Sequence, residues 1–293
     1  IIQEKKKFHD ILLIVRRGII IGQEARKAVF DEDLNIEAYQ FERIMQKFPN
    51  HFHEHYVIGL IERGNRHLLC KNKSYDLQSG DLMLMNPKEN HTCESIDGQL
   101  LDYRCLNIKP EIMEMMVYEI TGERYMPQFT RNVIYSSNEV TLIRELHHMI
   151  MEKYKEFEKE EAFNFLIEYF LKKYTEKVET NSAQISTKIR ESCDYMDRNY
   201  RNQVSLEDLC NVSGLKKYTL LRSFTKQCGV TPYQYLEAVR INHAKKLLEC
   251  GVEPIEVAMQ TGFSDQSHFT RFFKSFIGIT PKQYQIIFKE EES

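Results

Sequence analysis

Residues 205–235 and 254–284 align with each other without a gap at an offset of 49. Glu207/Glu256, Arg222/Arg271, Phe224/Phe273, Gly229/Gly278, Thr231/Thr280, Pro232/Pro281, Gln234/Gln283 and Tyr235/Tyr284 are identical. Leu206/Ile255, Leu209/Ala258, Leu220/Phe269 and Val230/Ile279 stay apolar. A repeat of this length is one supersecondary unit used twice. Each copy reads as a short helix (Leu206 to Val212; Ile255 to Thr261), a turn carrying glycine (Ser213-Gly214; Gly262-Phe263) and a second helix with apolar residues at i and i+4. That is helix-turn-helix geometry, so the chain is expected to meet double-stranded DNA at two places, about 205–228 and 254–277.

Local signals support each unit. Ser205 with Asp208 three residues on is a capping box that starts the first short helix. From about Lys217 to Gln227, Leu220, Ser223, Phe224 and Gln227 share one stripe, leaving Lys217, Tyr218, Leu221, Arg222 and Thr225 on the other. In the second copy Phe269, Phe272, Phe273 and Phe276 form the packing stripe, with Gln266, Ser267, His268, Thr270, Arg271 and Lys274 outside it. Between the copies, Thr231 as N-cap, Pro232 at the first helical position and Gly251 past the end mark one unbroken helix. About 20 residues at ~1.5 Å each give a rod of ~30 Å, near the ~34 Å between successive major-groove faces.

The run Ala258, Gly262-Phe263, Phe269, Arg271, Phe273-Lys274, Gly278, Thr280-Pro281 and Tyr284, preceded by Arg240, Ala244 and Leu247-Leu248, resembles the C-terminal signature of AraC/XylS-family transcription regulators over about 110 residues. The resemblance implies a transcription factor, commonly an activator, with RNA polymerase as a further partner. Carried over by position, it assigns base reading to Lys217, Tyr218, Leu221 and Arg222, and to Gln266, Ser267, His268 and Arg271. Lys226 and Lys274 are assigned to phosphates or water. For Arg222 and Arg271 a bidentate guanine contact and a phosphate contact both stay open, as does a thymine-methyl contact against neighbour packing for Leu221. Gln285 stands where the family usually has arginine.

The N-terminal half changes character. β-rich runs at Tyr56 to Ile61, His67 to Cys70, Asp81 to Met85 and Leu100 to Ile108 are broken by turn residues at Arg63 to Asn65, Gln78 to Asp81 and Asp97-Gly98, favouring a barrel or sandwich. His51, His53, Val57 and Gly64, then Gly80-Asp81, Pro87 and His91, resemble the two motifs of cupin barrels. Three histidines invite a metal, but the cupin pattern wants a carboxylate where Val57 stands, so no metal and no cofactor is expected. His51, His53, His55, His91 and Tyr103 are expected instead to line a pocket for a small-molecule effector. Helices are expected at 111–122, 139–154 and 160–178, as a segment packing on its own domain or making a homodimer interface, and a linker at 179–183.

The expected fold is thus multidomain α+β: a cupin-like effector domain over 1–110, a helical segment over 111–178, and an all-α DNA-binding domain over 184–293. Charge agrees with this division. Residues from 182 on carry 15 Lys+Arg against 13 Asp+Glu, and the remainder 25 against 30. The seven cysteines form no CxxC pair and read as thiols in a reducing cytoplasm. The apolar runs at 11–15 and 18–22 are broken by Arg16-Arg17, well short of the roughly 20 residues a span needs, so no membrane partner is expected. A non-enzymatic, ligand-modulated regulator is the favoured reading. The alternatives are a metal-dependent cupin enzyme fused to a DNA-binding domain, a constitutive regulator without effector, and an interaction protein that no longer binds DNA.

Overall fold

Alternation on strands buried from both sides sets the N-terminal architecture. The computed structural model describes residues 24–71, 73–136, 138–154, 157–177 and 186–288. Its first half runs β1 (Ala25–Asp31), β2 (Ile36–Ile44), β3 (Phe48–His51), β4 (Tyr56–Arg63), β5 (Arg66–Cys70), β6 (Lys73–Leu77), β7 (Leu82–Met85), β8 (His91–Ser95) and β9 (Leu101–Ile108). It continues with α1 (Pro110–Thr121), β10 (Pro127–Phe129), β11 (Val133–Ile134), α2 (Val140–Met151), α3 (Phe157–Tyr174) and β12 (Thr175–Lys177). A six-stranded sheet has the order β1-β2-β9-β4-β7-β11, and a four-stranded sheet the order β3-β8-β5-β6. On β2, β4, β7 and β9 the residues Ile36, Ala38, Ile58, Leu60, Leu82, Leu84 and Leu106 face a core shared with α1, α2 and α3. Their alternates Tyr39, Phe41, Val57, Ile61, Met83, Met85, Tyr103 and Cys105 face the other sheet. Side chains of period two are thereby divided between two cores, which is why these strands read as continuous apolar runs.

Three expectations are adjusted here. The helix expected at 160–178 ends at Tyr174, and Thr175–Lys177 pairs instead with Pro127–Phe129. The Tyr174 carbonyl accepts from Thr130 N at 2.9 Å, so its partner lies outside the helix. β1, β2 and β3 precede Tyr56, where the first of the expected β-rich runs begins. The linker expected at 179–183 and the apolar runs before residue 24 lie outside the described residues.

The second half holds α4 (Thr187–Asn199), α5 (Leu206–Ser213), α6 (Lys217–Cys228), α7 (Pro232–Glu249), α8 (Pro254–Gln260), α9 (Gln266–Ile277) and α10 (Pro281–Ile286). The repeat identities are largely helix punctuation. Ser205/Asp208, Thr231/Gln234 and Thr280/Gln283 are complete capping boxes, while Gly229 and Gly278 end α6 and α9 in the left-handed conformation. The rod α7 is 18 residues, or ~27 Å. Phe269, Phe273 and Phe276 are buried as expected; Phe272 is half-buried, and Gln227 is exposed, accepting from Ser186 N at 2.8 Å.

The β domain grips the C-terminal ends of both α6 and α9. Helix ends leave their last carbonyls unbonded. Asn50 Nδ2 donates to Gly229 O at 2.9 Å and Asn90 Nδ2 to Cys228 O. Gln46 Nε2 donates to Lys274 O at 3.1 Å and Ser275 O at 3.0 Å, and Arg26 to Gly278 O. The tip of the Phe41 ring lies against Gly278, where a Cβ would fall 2.4 Å from its Cζ.

Beside this grip, the Glu37 carboxylate of β2 is buried and accepts from Tyr39 OH at 2.8 Å, Tyr284 OH of α10 at 2.7 Å and Lys245 Nζ of α7 at 3.1 Å. Burial alone would raise this carboxyl; Lys245 and the two hydroxyls outweigh burial and hold it at about 2. The folded value lies below the ordinary 4.5, so the stabilisation is complete above pH 4.5 and is lost as pH falls toward 2. It amounts to ~3 kcal/mol.

Glu37→Gln leaves a buried ammonium without a counter-charge and is expected to destabilise by about 3–5 kcal/mol at neutral pH, whereas Glu37→Gln with Lys245→Met recovers most of the loss. Denaturant unfolding at neutral pH and near pH 3 measures both, and the single variant's deficit shrinks in acid. A second expectation concerns the grip. Gly214 and Gly278 both have positive φ, but nothing lies within 4 Å of a Cβ at Gly214. Gly278→Ala is expected to cost about 2 kcal/mol more than Gly214→Ala, because only Gly278 meets the β domain.

Candidate DNA-reading face and ligand cavity

The ends of α6 and α9 opposite the grip are free. Lys217, Tyr218, Arg222 and Lys226 on α6 are exposed, Tyr218 at 74% and Leu221 at 39%. On α9, Gln266, Ser267, Arg271 and Lys274 are exposed, and the helix starts on Asp265, whose carboxylate accepts from His268 N at 2.8 Å. His268 is half-buried, its ring against Phe263 and Phe272. Among the described residues, no carboxylate pairs with Lys217, Arg222, Lys226, Arg271 or Lys274, whereas Arg144, Lys109 and Lys282 are all paired. Arg222 and Arg271 are therefore identical in the repeat yet exposed and, among the described residues, without a carboxylate partner. Gln285, in contrast, is fully buried and donates to Val252 O at 2.7 Å, tying α10 to the turn after α7.

All five residues expected around a pocket do surround one. A cavity of about 70 Å³ between the two sheets is lined by His51, His53, His55, His91 and Tyr103. β3 and β8 pair His51 directly with His91. β3 ends there, so His53 and His55 sit in the following loop, their rings 5.2 Å apart and near parallel. Gly59 on β4 makes room for Tyr103: a Cβ would fall 2.3 Å from its hydroxyl. Val57 also lines the cavity, as do Tyr39, Phe41, Cys93 and Cys105.

Burial, reinforced by His91, pulls His51 down to about 3; burial and Lys245 do the same for His55. Burial also lowers His53 and His91, so all four rings are neutral at physiological pH. It pushes the Cys93 thiol up to about 11 and Cys105 to about 12, which keeps both protonated. One wall is not part of the β domain. Phe276 and Ile277, at the C-terminal end of α9, close the cavity, with Phe276 5.2 Å from the His51 ring. Neither this wall nor the side chains Asn50, Asn90 and Gln46 had a sequence signal, because each works through a contact between distant segments.

Comparison with known proteins agrees with both halves. The helix-turn-helix domain family matches residues 209–286, and the AraC-like ligand binding domain family residues 34–168. The HTH-type transcriptional regulator YbfI of Bacillus subtilis (strain 168) is 49% identical over 246 residues, 84% of this chain and 90% of that protein. An HTH-type regulator of Staphylococcus aureus (strain COL) is 26% identical over 238 residues, and the chain spans 31% of its length. Among solved structures, an apo ToxT variant from Vibrio cholerae shares the fold with a TM-score of 0.54 at 19% identity, over 87% of this chain and 98% of that one. ToxT with a bound unsaturated fatty acid gives 0.52 at 17%, over 91% and 98%. Among the described residues no helix is long and apolar enough to cross a membrane. With both halves matched in order and YbfI covered almost end to end, the chain belongs to the AraC/XylS family of transcription regulators.

Proposed function

We propose that the chain is a ligand-responsive, non-enzymatic DNA-binding regulator in which occupancy of the histidine-lined cavity sets the seat of α9. The observation that carries this reading is the cavity wall formed by Phe276 and Ile277, whose helix also bears Gln266, Ser267 and Arg271. A ligand that fits the cavity differently with α9 seated and unseated shifts that equilibrium, and differential affinity is the whole of the required coupling. ToxT, of the same fold, is described with an unsaturated fatty acid bound.

Base reading falls to Lys217, Tyr218, Leu221 and Arg222 on α6, and to Gln266, Ser267, His268 and Arg271 on α9; Lys226 and Lys274 take phosphates. His51, His53, His55, His91 and Tyr103 hold the effector. A cytoplasmic homodimer acting as an activator through RNA polymerase completes the reading, and the exposed Leu142 and Phe165 on α2 and α3 suit a protomer contact. The division into an effector domain over 1–110, a helical segment over 111–178 and a DNA-binding domain over 184–293 belongs to the same proposal.

Selection of bound fragments from genomic DNA supplies the site, and anisotropy titrations over a salt series then test the roles. Arg222→Ala and Arg271→Ala are each expected to cost about 1–3 kcal/mol and relax specificity at one position. Lys226→Ala and Lys274→Ala are expected to weaken all sequences alike and to reduce the salt slope by about 1 each. Equal, sequence-independent losses from all four would leave the arginines as phosphate contacts.

A further inference from the structure

We propose that His51, His53 and His91 form a three-imidazole site for one divalent first-row transition metal, zinc by preference, with a fourth position open to the cavity. This deepens the reading of the cavity as the effector site, and depends on it only for the consequence at α9.

The three ring nitrogens lie within 4.8 Å of one another, and His51 Nε2 is 3.1 Å from His53 Nε2. Two nitrogens at ~2.05 Å from a tetrahedral zinc stand about 3.3 Å apart. The far sides of two rings are already fixed. His51 Nδ1 contacts Pro49 O at 2.6 Å and His91 Nδ1 contacts Glu89 O at 3.0 Å. A carbonyl only accepts, so both Nδ1 atoms carry the proton and both Nε2 atoms keep a lone pair, that of His51 accepting from His53 Nε2 at 3.1 Å until a metal takes the place of the shared proton. Ligating imidazoles are ordinarily oriented in this way, by a hydrogen bond from the other nitrogen. The cross-strand pairing of His51 with His91 builds two of the three rings into the sheet, and His53 follows two residues after β3 ends.

Charge then specifies the fourth ligand. Among the described residues no Asp, Glu, Lys or Arg side chain lines the cavity, and Val57 occupies the place where the cupin pattern has a carboxylate. Three neutral imidazoles leave the metal with two uncompensated positive charges among apolar walls, which is costly unless an anion joins it. The fourth ligand is therefore a small anion, hydroxide or a carboxylate, taken into the cavity that Tyr103 and Phe41 also line. Cys93 and Cys105 share the cavity, but their sulfurs are outside the cluster. Because the Phe276 ring lies against His51, a filled site changes what α9 packs on.

Full-length protein purified without an affinity tag and stripped with a chelator is titrated with Co²⁺ as a coloured surrogate, then with Zn²⁺ in competition. One Co²⁺ per chain with the intense visible band of a four-coordinate site, displaced by Zn²⁺, supports the proposal. His53→Ala, whose ring makes no backbone bond, is expected to weaken binding at least about tenfold while the circular dichroism stays native, and His91→Gln to do the same. His67→Ala, on the exposed face of β5, leaves binding unchanged. No visible band, or His53→Ala and His91→Gln binding like wild type, overturns the site. DNA affinity is read separately: a protein without metal that still responds to another small molecule overturns the site and keeps the regulator. One metal bound through His53 with no change in DNA affinity supports the site and removes the metal's role at α9.

Discussion

A helix-turn-helix ends its second helix on carbonyls that have no partner within the helix, and here the β domain supplies the missing donors to both copies. Asn50 and Asn90 reach the end of α6, and Gln46 and Arg26 the end of α9. Burying those ends against protein without donors would cost free energy comparable to lost hydrogen bonds. The grip is therefore specific in register, which a merely apolar contact would not be. Glu37 adds the electrostatic part, joining β2 to α7 and α10 with a carboxylate that has no meaning unless Lys245 and Tyr284 arrive. Its net worth over an apolar pair is small, but breaking it from one side is expensive, so it favours one docking geometry over near alternatives.

From this constraint the rest follows. With both helices held by their C-terminal ends, one face of each stays exposed along its length, carrying Lys217, Tyr218, Arg222 and Lys226 on α6 and Gln266, Ser267, Arg271 and Lys274 on α9. The same docking places Phe276 and Ile277 in the wall of the cavity. One helix thus touches the cavity at its end and, in the proposed function, presents a reading face at its start, without any relay of intermediate residues.

Much of this was legible in the residues. Capping boxes, left-handed glycines and the phenylalanine stripe announce the repeat because they act locally, within a few residues of chain. Once the structure accounts for Thr231/Thr280, Gln234/Gln283, Gly229/Gly278 and Phe224/Phe273 as caps and core, Arg222/Arg271 stand out as a pair with no folding role. The five cavity residues were legible from spacing and from a motif resemblance. β1 was missed because its mixed charges and half-exposed positions give no period, and β12 because a helical pattern ran straight into it. The grip of Asn50, Asn90 and Gln46 was illegible, since single amides carry no pattern and their partners are 138 or more residues away. Val57 in place of a carboxylate argued against a metal by sequence. The fixed tautomers of His51 and His91, visible only in three dimensions, argue the other way.

The central claim is that α9 is shared between cavity and DNA. Coupling of that kind is reciprocal. Hydrogen exchange of the full-length protein, free and bound to its selected DNA fragment, tests it most directly. The account predicts that DNA changes exchange not only in α6 and α9 but in the cavity segment Phe48 to His55, on the far side of Phe276. Changes confined to the helix-turn-helix units, with that segment exchanging as in the free protein, would contradict it.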